Sequence, residues 1–256
     1  MKETIFTLLA FIVCININAQ TVKLYKGTTL VAEYNADQVD NVEFIETDIQ
    51  ESDSHEYVDL GLPSGTLWAT CNIGASEPEE CGYYFAWGET TGYKLSDNHV
   101  FYWTNYKWCN GSNGYGNYDV LTKYCTNSRN GTVDNKTTLD TEDDAATVNW
   151  GKNWCMPSVD QLKELNNSSY TTIALTTQKG VEGLLIRSKK NGKTLFFPIT
   201  GWGNGDHVEC GMYWTRSLFT NRNGDAYYLV FSDGGMNFSG EGSRCSGHPI
   251  RPVRAQ

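Results

Sequence analysis

Cys155 stands directly before Met156-Pro157, where Ser158 opens a helical pattern. A thiol at a helix start is favoured as thiolate, the form that attacks carbonyl carbon. A half-buried cysteine packed under the helix fits the same pattern. Asn204, Asp206 and Glu209, beside Gly203 and Gly205, make an oxygen-rich loop suited to a cation or to carboxylate catalysis. Asp140, Glu142, Asp143 and Asp144 make a second acidic group, but the EF-hand spacing and its central glycine are missing. Carboxylates at a helix N-terminus account for these four more simply. The histidines, His55, His99, His207 and His248, lie more than five residues apart, so no HExxH helix exists. There is no CxxC pair, no GxSxG elbow and no glycine-rich phosphate loop. Pro63-Ser64-Gly65 reads as a turn. No cofactor or metal is implied, and nothing demands an enzyme; a hydrolase using Cys155 or the Asp206/Glu209 loop is the alternative.

Recognition chemistry is better supplied. The chain is 13% aromatic, with eight Trp and fifteen Tyr, which offer large rigid contact area at low entropic cost. A formal net charge of −10 repels phosphate backbones and argues against nucleic acid. Seven cysteines follow Cys14, an odd number, so at least one thiol stays free or pairs with another chain. Cys109 and Cys125 flank the polar segment GSNGYGNYDVLTKY, and a disulfide between them would restrain that loop by about 3 kcal/mol.

These residues need elements to position them. Residues 1–19 read as an export signal: a weakly basic start, an apolar run from Ile5 to Ile15 too short to span a bilayer, and cleavage after Ala19. No other stretch reads as transmembrane. Residues 20–46 form a small β module (VKLYKG, TLVAEYN, VEFIE), and residues 47–55 an acidic linker. The module's edges suit pairing with another chain, which keeps a structural or filament-associated subunit as a further alternative. Residues 56–256 form the main domain. There TEDDAATVNW reads as a helix capped by Thr141, and SVDQLKELNN as a second with a Ser158/Gln161 capping box and an apolar stripe of Val159, Leu162 and Leu165. GLLIRSKKNGKTLFFPI reads as a hairpin turning at Asn191-Gly192. Strands follow in MYWTRSLF, DAYYLVF and PIRPVR. Residues 92–138 are a long loop-rich insertion. The fold class is α+β, with two helices and an antiparallel C-terminal sheet.

Three stretches carry a resemblance: YVDLGLPSGTLWATCNIGASEPEECGYYFAWGET, LDTEDDAATVNWGKNWCMPSVDQLKEL, and YWTRSLF…AYYLVF…GHPIRPVRA. Together they resemble the FISUMP domain, a major paralogous family named from Fibrobacter and common in secreted proteins of gut Bacteroidetes. The likeness spans about residues 56–254. It implies a C-type-lectin-like fold, with first and last strands brought together, a long loop region on one face, and Trp68, Trp87, Trp150 and Trp154 mainly in the core. Departures are visible: Glu77-Pro78-Glu79-Glu80 replaces the EPN of calcium-dependent sugar binders, no WND run exists, and Cys155 stands where the family often has Arg. A formylglycine-generating enzyme shares the broad fold, but its paired-cysteine site does not map clearly onto Cys210 and Cys245. The chain end is also similar to the variable proteins of diversity-generating retroelements. Between Ser232 and Gly247 only Met236 and Glu241 fall outside their adenine-mutable residue set, a fit that average composition also permits.

The function these features imply is an exported binding protein that recognises an extracellular or cell-surface protein or glycan. Small polar residues between two strands should lie at the surface. The expected ligand face is therefore a C-terminal loop carrying Ser232, Asp233, Phe238, Glu241, Ser243, Arg244, Cys245 and Ser246, flanked by Arg216, Phe219, Arg222 and Tyr228. The oligomeric state is left open by the sequence.

Overall fold

A computed structural model describes residues 21–26, 29–35, 55–110, 120–201 and 209–254. The expected export signal, the VEFIE run, most of the linker and the Asn204–Asp206 segment lie outside the described residues. Contacts divide the chain into two units, residues 1–50 and 51–256. In the first, β1 (Thr21–Lys26) pairs antiparallel with β2 (Thr29–Asn35), and Lys23 faces Glu33 across the pair at 3.4 Å. Among the described residues no helix is long and apolar enough to cross a membrane.

The second unit is α+β and sheet-rich, built from three small antiparallel sheets and two short helices. β3 (Tyr57–Asp59) and the last strand, β11 (Val253–Arg254), both pair with β4 (Leu67–Ala69), so the two ends of the domain meet in one sheet. α1 (Ala145–Trp150) and α2 (Val159–Leu165) come next. β5 (Thr171–Gln178), β6 (Val181–Ser188) and β7 (Thr194–Pro198) form the second sheet, and β8 (Cys210–Leu218), β9 (Asp225–Ser232) and β10 (Gly235–Ser243) the third. One apolar core joins α2 to the sheets through Trp68, Leu162, Leu165, Ile186, Phe197 and Phe231. A second surrounds Trp87, Trp214 and Met156, and a third packs Phe101, Trp103, Tyr106 and Leu121 beneath the long insertion. Trp68, Trp87 and Trp154 are buried as expected of core residues, whereas half-buried Trp150 stacks on His55 at 3.7 Å.

Local chemistry explains where the elements begin. Ser158 and Gln161 make the capping box of α2, and Leu162 and Leu165 bury its apolar stripe. α1 starts later than its sequence suggests. Asp144, not Thr141, caps it, accepting from the Ala146 and Thr147 amides and also from Met156 N–H. One carboxylate thus fixes a helix start and the approach to the next helix. The hairpin turn also differs. Asn191 keeps a negative φ and spends its side chain on Asp59 O and Lys193 N–H. The tight two-residue turn is Lys179-Gly180, with φ of 47° and 87°, joining β5 to β6.

Two expectations are corrected. Residues 235–243 are strand β10, not a loop. Their small size is required by the Tyr228 ring: a Cβ at Gly240 or Gly242 would sit 2.9 or 2.5 Å from it. The Cys109–Cys125 bridge is absent, and both thiols are free. The loop between them is closed instead by backbone pairing of Asn110 N–H with Val120 O and Thr122 N–H with Trp108 O. The Cys125 sulfur turns inward to Asn127 O at 3.1 Å.

Two arginines tie irregular segments to this frame. Arg244 is fully buried and donates to Tyr106 Oη and to the carbonyls of Lys123, Tyr124 and Asn223, its guanidinium 4.8 Å from the Trp87 ring. Arg251, also buried, donates to Asn72 Oδ1 and to the Ala69 and Thr70 carbonyls. Arg244→Ala strands three carbonyls and a hydroxyl in a dry site, so unfolding stability should fall by about 3 kcal/mol or more. A urea titration checks this: the midpoint drops at an unchanged slope.

Candidate functional site

The residues expected to form a ligand face do not share one surface. Phe238 belongs to the core cluster that holds Trp68, Arg244 is the buried clamp, and Cys245 packs with Phe101 and Trp103. All three expectations of exposure are corrected, because the alternation of β10 and the turn after it aim these side chains inward. Tyr228 is half-buried against Trp214 and His248. Arg216 is half-buried near Asp144 and Cys155; burial raises the pKa of both groups, and the Arg216 charge offsets only part of that rise. Ser243 and Ser246 are half-buried near the clamp. Arg222 pairs with Asp225 at 2.7 Å, lies 3.8 Å from Glu241 and covers the Phe219 ring, so this exposed group is largely self-satisfied. Asp233 is exposed at the β9–β10 turn beside half-buried Ser232.

The chemistry-bearing groups outside that set are also accounted for. Burial pushes the Cys155 thiol up, opposing the Arg216 charge, so the sulfur is protonated and unsuited to attack. Burial among aromatic rings pushes His248 down to about 3, which keeps it neutral. Carboxylate oxygens of Asp140, Glu142 and Asp143 lie within 4.8 Å of one another. A cation is already there: Lys123 Nζ sits 2.5 Å from Asp143, 2.7 Å from Asp140 and 3.6 Å from Glu142. Burial would raise the Asp143 carboxyl, but hydrogen bonds from Lys123, Tyr124 and Lys107 outweigh it and hold the group below the usual carboxylate range.

One cavity differs from the rest. It encloses about 470 Å³ between the turn end of the β5–β6 hairpin and the end of the third sheet. Leu175, Thr176 and Thr177 of β5, Glu182 and Gly183 of β6, and Ile199, Glu209 and Asp233 line it. Its position follows from register. Cys210 pairs with Ser232, so Glu209 and Asp233 are the next residues outward, just beyond the ends of β8 and β9. Glu182 stands opposite Thr177 near the hairpin turn, and Gly183 adds backbone to the same wall. Among the described residues, none of the three carboxylates has a hydrogen-bond or ion-pair partner. Like charges placed opposite each other on adjacent strands destabilise a sheet. The cavity near Lys189 and Lys190 lacks this quality, since Lys189 already donates to Ser168 O and the Lys190 stem covers Gly61. A third, beside His55 and Cys71, is floored by the His55–Trp150 stack, and burial pushes the Cys71 thiol up.

Sequence reasoning named Glu209 only as a catalytic alternative and Asp233 only as a loop contact, and it missed Glu182 and the whole of β5. The β-branched-rich run TTIALTTQ before Lys179-Gly180 was the available signal. Comparison with protein-family models, with curated proteins and with solved structures found no match.

Two outcomes follow from these electrostatics. Asp143 is depressed in the folded state, so its stabilisation is complete above the unfolded value of about 3.9 and is lost as pH falls below it. Asp144 and Asp225, raised by burial, act in the opposite sense above that range, so the Asp143 loss is confined below about pH 4. Chemical denaturation across pH should show Asp143→Asn weaker than wild type at neutral pH, with a flatter acid limb. By contrast, Glu182→Gln/Glu209→Gln/Asp233→Asn should leave stability unchanged or raise it by about 0.5–1 kcal/mol, measured by the same titration at neutral pH.

Proposed function

We propose that this is an exported binding protein with a C-type-lectin-like domain of FISUMP type, and that it holds an extracellular or cell-surface protein or glycan in the acidic groove at the β9–β10 turn. The pairing of β11 with β4, which unites the domain's ends, supports the lectin-like reading, as does the order of two helices before the antiparallel C-terminal strands. The observation that carries the functional reading is the trio of Glu182, Glu209 and Asp233 around an open cavity. Structural carboxylates in this chain are engaged: Asp134 accepts from three backbone amides, and Asp144 from Ala146, Thr147 and Met156. Among the described residues, the groove carboxylates have no such partner. Carboxylates suit ammonium and guanidinium groups, and they accept equally from sugar hydroxyls. Leu175 and Ile199 add an apolar patch to the same wall.

The recognition surface thus moves from the residues around Arg244 to the opposite end of β10. Asp233 of the expected face stays in it; Phe238, Arg244 and Cys245 leave it. Screening the full chain against arrays of glycans and extracellular proteins, at low and high salt, tests the proposal. The triple carboxamide variant should bind the ligand so found about tenfold or more weakly, with its melting temperature preserved. Retention of full affinity by that variant would place the ligand elsewhere.

A further inference from the structure

The outer edge of β5 is open, and its backbone parity is fixed by neighbouring bonds. Lys189 N–H donates to Tyr170 O, and Ser188 N–H donates to Lys193 O. In an antiparallel ladder the direction alternates, so Thr172, Ala174, Thr176 and Gln178 turn their amides and carbonyls toward β6. Ile173, Leu175 and Thr177 therefore turn theirs outward. Among the described residues nothing pairs with them.

This edge lacks the usual protection. Exposed edges are ordinarily blunted by charge, proline, a bulge or short length. β10 carries a register shift between Asn237 and Gly240, β7 is short and ends in Pro198, and β3 has three residues. β5 runs eight residues in unbroken register, with no charged residue, Gly or Pro, and Leu175 is 42% exposed on it. The same Leu175 and Thr177 line the acidic groove. An added strand on this edge would aim alternate side chains at Glu182, Glu209 and Asp233.

Resting on the reading of the groove as the ligand site, we propose that its occupant is an extended peptide segment of a partner protein, added as a strand to β5, with a Lys or Arg side chain seated among the three carboxylates. Main-chain bonds to Ile173, Leu175 and Thr177 supply affinity, and the acidic groove selects a cationic residue. A second copy of this chain is disfavoured as occupant. It would bring a second molecule of formal net charge −10 against an already acidic edge.

Fluorescence anisotropy of the full chain with a labelled peptide of alternating lysine and valine, matched to β5 in length, tests this. Binding should weaken about tenfold or more when the peptide's backbone amides are methylated, and again when glutamate replaces its lysines. Thr177→Pro, which removes an outward amide without touching the β6 ladder, and the triple carboxamide variant should each do the same. Equal binding of the methylated peptide would overturn strand addition. So would sedimentation showing a dimer abolished by Thr177→Pro, since the edge would then belong to a second copy. A glycan bound through the three carboxylates, with no peptide bound, would sink this inference alone; loss of every groove-dependent ligand would sink the reading beneath it as well.

Discussion

A buried guanidinium without a carboxylate partner holds the larger unit together. Charges in an apolar interior are expensive unless hydrogen bonds replace their water. Arg244 meets that demand with three carbonyls and a tyrosine hydroxyl, and with the faces of Trp87, Tyr106 and Tyr124. Its own backbone completes the knot: Arg244 N–H donates to Gly224 O, and Trp87 N–H donates to Arg244 O. Four regions distant in sequence therefore converge on one side chain. Among its described residues, the insertion from residue 92 to 138 has almost no regular secondary structure of its own. Its backbone needs partners from outside, and Arg244 supplies them at Lys123 and Tyr124. Asn223 extends the same tie, since its side-chain oxygen accepts from the Thr126 and Asn127 amides.

The clamp also decides which end of the third sheet is left free. β10 has nine residues, about 30 Å at strand rise. Arg244 follows its last residue, and the Asp233 turn precedes its first. One end of the β9–β10 hairpin is thus locked into the core, and the other is left to face solvent. At that free end the sheet places Glu209 and Asp233 side by side, and the β5–β6 hairpin brings Glu182 opposite. One wall of the groove is the β5–β6 hairpin, and the other is formed at the ends of β8 and β9.

The legible parts of this fold were those set by local chemistry. α2 was readable because its cap and its stripe lie within eight residues. The union of α and β elements was readable from turn spacing. The start of α1 was not, because the choice between Thr141 and Asp144 as cap depends on Asp143 being drawn into the Lys123–Tyr124 network. β10 was hidden by its glycines, whose small size answers to the Tyr228 ring on the neighbouring strand rather than to a turn. Arg244 was misplaced for a like reason: arginine is mostly exposed, and only the carbonyls it meets through tertiary contact make its burial tolerable. The groove was hidden because residues 182, 209 and 233 share no local pattern and are joined only by strand register.

Charge and edge exposure then explain each other. An uncharged, regular, solvent-facing strand is a hazard for any protein, because it pairs with whatever backbone it meets. β5 carries no blocking residue of its own, yet three carboxylates stand beside it. They repel a second copy of the same chain, and they repel acidic segments generally. A cationic strand is the one kind of chain for which both the open backbone and the neighbouring field are favourable. Specificity often rests on such penalties against the wrong partner as much as on attraction to the right one. On the proposed reading, a lysine placed among these carboxylates would remove the discrimination. Lys123 shows the contrast: where three acids are needed only for structure, the chain places its own ammonium among them.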